Sequence, residues 1–180
     1  MAKDLMYGTE YRIQNGHEDW AGGYLDTRGA GCNDNLLCVS TATGYDRANG
    51  SGTWKILSAS GKEEGQPVAA NDLVFLQNQY GNTGYLDTRG EGCNDNLLCV
   101  STAESSNRYL DSGTWRIMPD SPGGNVQEDE VVHLLNGYDG FAGGFLDTRG
   151  AGCNGNHLCV STSVNWNRAT GSTHWRFHKQ

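Results

Sequence analysis

The stretch GGYLDTRGAGCNDNLLCVST, residues 22–41, decides how this chain is read, because it returns as TGYLDTRGEGCNDNLLCVST at 83–102 and as GGFLDTRGAGCNGNHLCVST at 143–162. The first two copies agree at 18 of 20 positions and the first and third at 17 of 20, without a gap. Self-similarity at a fixed period of 60 or 61 residues marks three copies of one structural unit. Outward from this stretch, each copy runs through a variable segment to a second fixed point, Gly-Thr-Trp54, Gly-Thr-Trp115 or Thr-His-Trp175, followed by a basic and an apolar residue. Upstream of each copy lies an apolar–polar alternation, at 11–14, 73–77 and 131–135.

Each unit thus holds four short segments, rich in β-branched or aromatic residues and bounded by Gly, Asn, Asp or Ser, which predicts four strands. No segment sustains a 3.6-residue apolar period, and 26 glycines in 180 residues point to many turns rather than long helices. The connectors at 58–67 and 118–128 carry the Gly, Pro, Ser and acidic residues of surface loops. Three four-stranded units in register resemble the β-trefoil, an all-β fold of twelve strands with pseudo-threefold symmetry. The resemblance covers nearly the whole chain, as one domain over 1–180 with repeats near 5–60, 66–119 and 125–180. The β-prism also has three four-stranded units, but its mannose-binding signature Gln-x-Asp-x-Asn-x-Val-x-Tyr is absent; propellers use more blades.

Thirteen basic against 21 acidic side chains leave a formal charge of −8, with no Lys/Arg cluster. Phosphate recognition depends on releasing counterions from a basic face, so nucleic acid and anionic membranes are disfavoured as partners. No run approaches the roughly 18 apolar residues of a membrane helix, and the start MAKDLMYG lacks the apolar core of a secretory leader. No membrane insertion is expected.

The six cysteines repeat as Cys32/Cys38, Cys93/Cys99 and Cys153/Cys159, each pair enclosing a turn-forming Asn-Asp-Asn or Asn-Gly-Asn. Even count and equal spacing suggest three local disulfides across the turn between the second and third strands, each contributing roughly 2 kcal/mol by loop closure. Paired cysteines favour an oxidising, extracellular setting; six buried free thiols are the alternative. Structural zinc sites gather closely spaced Cys pairs in fours, which this spacing does not, so no metal and no cofactor is expected.

If Leu25 faces the core, strand alternation puts Asp26 and Arg28 on the outer face with Tyr24. The copies are Asp87 and Arg89, and Asp147 and Arg149. Arg47, Arg108 and Arg168 also repeat, preceded by Asp46, Asn107 and Asn167, while Tyr45 and Trp166 occupy one loop position at which the second unit has Ser106. Carboxylates, amides and guanidinium groups suit adjacent sugar hydroxyls, and an aromatic face suits the C–H patch of a sugar ring. The chain is similar to β-trefoil lectins, including galactose-recognising trefoils of the mussel type, in carrying polar residues on the second strand and before the fourth. That resemblance implies a multivalent lectin binding glycans or glycoconjugates at up to three sites. Ricin-type lectins carry Gln-x-Trp near the end of each unit, which is missing here. Repetition equally fits an ion pair that the fold copies along with itself. Trp54, Trp115 and Trp175 read as core.

Catalysis needs one asymmetric constellation, and no Gly-x-Ser-x-Gly, His-Glu-x-x-His or phosphate-binding glycine loop occurs; the five histidines do not repeat. An enzyme is not expected. A trefoil protease inhibitor of the Kunitz type, with Lys62 as its basic loop residue, and a targeting module are the alternatives. The oligomeric state is left open.

Overall fold

The computed structural model describes residues 1–45, 47–81 and 84–179. Its strands are β1 (Glu10–Asn15), β2 (Tyr24–Ala30), β3 (Leu37–Ala42), β4 (Trp54–Ser58), β5 (Leu73–Asn78), β6 (Gly84–Glu91), β7 (Leu98–Ala103), β8 (Trp115–Pro119), β9 (Val132–Asn136), β10 (Phe145–Ala151), β11 (Leu158–Ser163) and β12 (Trp175–Lys179). All twelve belong to one antiparallel sheet. Two strand sets divide the labour. β1, β4, β5, β8, β9 and β12 pair in a closed ring. The hairpins β2–β3, β6–β7 and β10–β11 stand beside it, joined through β3–β7, β7–β11 and β11–β3 contacts. The architecture is all-β and trefoil-like.

Alternation in the ring strands explains the core. β1 and β5 bury every second residue, so Tyr11 and Ile13, and Val74 and Leu76, point inward. The hairpins add Leu25, Leu86 and Leu146 with Val39, Val100 and Val160, and β4, β8 and β12 add Ile56, Ile117 and Phe177. Trp54, Trp115 and Trp175 are fully buried, each indole N–H donating to the carbonyl of Leu25, Leu86 or Leu146 at 2.9, 3.0 and 2.9 Å. A buried tryptophan needs such a partner for its polar N–H. The core reading of these tryptophans therefore holds.

Each hairpin carries a bulge before its turn, where Gly29, Gly90 and Gly150 adopt φ of 96, 98 and 94°. A side chain there would be strained by φ and would press on the sulfur of Cys38, Cys99 or Cys159, 3.3–3.4 Å from its first carbon. The turns hold disulfides Cys32–Cys38, Cys93–Cys99 and Cys153–Cys159, with Cα atoms 5.1 Å apart. No described cysteine is free. The expected pairing is thus present in every unit.

Neighbouring units are tied by polar groups that sequence patterning did not single out. Asn15, Asn78 and Asn136, at the ends of β1, β5 and β9, are fully buried. Their amides donate to the carbonyls of Ser172, Ser51 and Ser112, each at 2.8 Å, and their carbonyls accept from Thr148, Thr27 and Thr88. Every one of these bonds crosses from one sequence unit into the preceding one, the third unit preceding the first around the ring.

Candidate functional site

Asp26, Asp87 and Asp147 occupy the same place in their hairpins, and all three are buried, at 1, 0 and 0 % exposure. Alternation along β2 had placed them on an outer face. The structure corrects this, because the turn of the adjacent unit folds over that face. Asp26 accepts from Arg47 Nε at 2.7 Å, from Ser51 Oγ at 2.5 Å and from Asn156 Nδ2 at 2.9 Å. Asp87 repeats this with Arg108 at 2.9 Å, Ser112 at 2.5 Å and Asn35 at 2.9 Å. Asp147 accepts from Arg168 at 2.7 Å and Asn96 at 2.8 Å. The second guanidinium arm of each arginine donates to the carbonyl of Thr27, Thr88 or Thr148. These carboxylates brace the junctions between units; both oxygens of Asp26 and Asp87 accept from protein groups, whereas Asp147 accepts at Oδ2 and its Oδ1 is buried without a hydrogen-bond partner among the described residues.

The other arginines lie nearer solvent. Arg28 is exposed and donates to the carbonyl of Gly155 at 2.9 Å; Arg89, partly exposed, donates to that of Asp34 at 2.6 Å. Arg149 is also partly exposed. Arg89 and Arg108 border a cleft of about 600 Å³ between the first unit's turn, residues 31–36, and Glu104 and Ser105. Asn107 is exposed and bonded locally to Asp111 at 2.9 Å. Asp46 lies outside the described residues.

The two variable aromatic residues are the open ones. Trp166 is 58 % exposed and Tyr45 51 %. Trp166 and Asn167 border a groove of about 560 Å³ whose opposite wall is Met118, Pro119 and Asp120, with His133 and His174 at its base. The His133 ring lies edge-on to Trp166 at 5.1 Å and to His174 at 5.0 Å, and its Nε2 is 3.1 Å from Asp120 Oδ1. Burial holds the His133 imidazolium below the ordinary histidine range, against the opposing pull of Asp120. At the corresponding place in the first unit, Arg12 lies 4.0 Å above the Tyr45 ring and Tyr24 meets its edge at 5.9 Å. Sequence reasoning missed His133, His174 and Asp120. The available signal was the departure of Thr-His-Trp175 from the Gly-Thr-Trp of the other units.

Lys62 is exposed, and its ammonium donates to the two carboxylate oxygens of Asp72 at 2.7 and 3.0 Å. Among the described residues no three His, Cys, Asp or Glu side chains gather to hold a metal ion. Among the described residues no helix is long and apolar enough to cross a membrane.

No protein-family model and no curated protein sequence matches the chain. Solved structures do. The SDF2-like protein from Arabidopsis thaliana is 15 % identical over 97 % of this chain and 94 % of its own, with a TM-score of 0.76. The protein O-mannosyltransferase Pmt1–Pmt2 complex of S. cerevisiae, bound to its sugar donor, matches 99 % of this chain with 25 % of its own, at 16 % identity and a TM-score of 0.75. The receptor-binding domain of a botulinum neurotoxin C/D mosaic serotype matches 99 % of this chain with 44 % of its own, at 14 % identity and a TM-score of 0.68. At such identities the likeness is one of fold.

Proposed function

We propose that this protein is a β-trefoil lectin, a secreted and non-enzymatic carbohydrate-binding protein whose three units form one domain with a glycan groove in each of several units. The observation that carries this reading is Trp166, an indole more than half exposed over an open groove walled by Asn167 and Asp120. Exposing such a ring gains the fold nothing, whereas its face matches the C–H side of a sugar and the amide and carboxylate match its hydroxyls. In the first unit the exposed aromatic is Tyr45, with Arg12 4.0 Å above one face of its ring. Arg28, Arg89 and Arg149 border the unit junctions and supply further donors. Asp26, Asp87 and Asp147 act through the arginines they hold. Three disulfides agree with an oxidising compartment. A receptor-binding domain and a sugar-donor complex among the structures of like fold agree with the reading without carrying it.

A glycan array tests the proposal. Binding to a defined set of glycans, competed by the free monosaccharide, is expected. Trp166→Ala should weaken binding at its groove roughly two- to tenfold, the worth of one stacking contact, while stability changes by less than about 0.5 kcal/mol at so exposed a site. A folded protein that binds no glycan would overturn the proposal.

A further inference from the structure

The second unit departs from its copies at positions that meet in space. Glu91 stands where the others have Ala30 and Ala151, and Tyr109-Leu110 where they have Ala48-Asn49 and Ala169-Thr170. This is also the unit with Ser106 in place of Tyr45 and Trp166. The unit that lacks the groove aromatic therefore carries a different one. Tyr109 and Leu110 are 55 and 52 % exposed, and the Tyr109 ring lies 6.3 Å from that of Tyr138, inclined by 39°. The two rings, with Arg89, Glu91, Leu98 and Arg108, border a cleft of about 190 Å³. The fold does not require these residues, because the other two units build the same hairpin and loop with alanine.

The lining chemistry narrows the ligand. Arg108 is locked by Asp87 at 2.9 Å and by the Thr88 carbonyl at 3.1 Å, and its charge is compensated there. Arg89 gives one Nη to the Asp34 carbonyl at 2.6 Å and keeps its other N–H groups beside Glu91, a donor and an acceptor of balanced charge, which suits neighbouring hydroxyls rather than an anion. The volume is below the roughly 300–1,000 Å³ of sites for drug-sized ligands and suits one ring. We propose that the second unit has its own saccharide site in the Tyr109–Tyr138 cleft, taking one neutral hexose residue. Its C–H face lies on Tyr109 and its hydroxyls between the Glu91 carboxylate and the Arg89 guanidinium. This inference rests on the lectin reading above but uses a different surface from the Trp166 groove.

The test is titration of the ¹⁵N-labelled full chain with methyl glycosides of mannose, galactose, glucose and fucose, followed by NMR. Saturable shifts of the Glu91 and Tyr109 amides are expected with at least one glycoside. They should persist in Tyr45→Ala/Trp166→Ala and weaken about tenfold in Tyr109→Ala, the loss of one stacked ring. Tyr109→Ala and Glu91→Ala each install the residue the other units already carry, so folding is retained. Shifts confined to Tyr45 and to the Trp166 groove would overturn this inference and leave the lectin reading standing. Shifts at the cleft that neither alanine variant weakens would overturn it as well. No shifts with any glycoside would overturn both.

Discussion

A carboxylate with no exposure must be paired and hydrogen-bonded, and Asp87 meets that need with Arg108, Ser112 and Asn35, the last 52 residues away along the chain. Removing one partner of a buried pair leaves the other charge uncompensated. Asp87→Ala is expected to cost about 3 kcal/mol, the low end for such pairs because Arg108 keeps some solvent contact, as read by urea denaturation. A loss of glycan binding with unchanged stability would instead place Asp87 in a binding role. His133 makes a second residue-scale prediction. Its folded pKa is lowered, by burial first, with Asp120 opposing; His178 is lowered likewise, by burial with Asp129 opposing. The unfolded chain therefore takes up protons first as pH falls below about 6.5, and stability drops between that pH and the lowered folded values. Thermal melts from pH 7.5 to 5.5 should show a falling Tm, with a shallower fall in His133→Gln/His178→Gln.

At the scale of elements, the three hairpins are the most legible part of the chain. Their alternation, glycine bulges and cysteine-flanked turns are local, so residues close in sequence determine them. The disulfide in each hairpin closes a short ring, worth about 2 kcal/mol by the loop-entropy model. Cys93→Ser/Cys99→Ser is expected to lose that amount in chemical denaturation without losing strand content by circular dichroism. A loss near zero would mean that the β6–β7 pairing and the Asn94–Asp95 turn hold the hairpin unaided. Pattern failed where hairpins meet. Alternation along β2 assumes that one face looks at solvent, but the turn of the preceding unit around the ring lies on it: the backbone N–H groups of Leu36, Leu97 and His157 donate to the carbonyls of Thr102, Thr162 and Thr41, each at 2.8 Å. That contact converts an outer face into an inner one, and Asp26, Asp87 and Asp147 go with it.

For the whole molecule, ring closure makes the units interdependent and sets their exposed loops around one body. If the chain is the lectin proposed above, weak single sites combine when a cell surface presents many glycans, raising avidity without new contacts. On the lectin reading, Trp166→Ala should lower haemagglutination titre more than it lowers monosaccharide affinity at the remaining sites; equal effects would argue that one groove acts alone. The units are alike in backbone and unlike in their loops.

The all-β character, the twelve strands, the paired cysteines and the buried tryptophans followed from sequence alone, because a repeat copies local propensity and core pattern together. Which polar residues face solvent was decided only by tertiary structure. Burial of Asp87 depends on Asn35 and Arg108 arriving from separate segments, and the Trp166 groove forms only when β8 and β9 bring Asp120 and His133 beneath a loop more than thirty residues downstream. Contacts of that range depend on how the ring closes, and no short window of sequence carries that information.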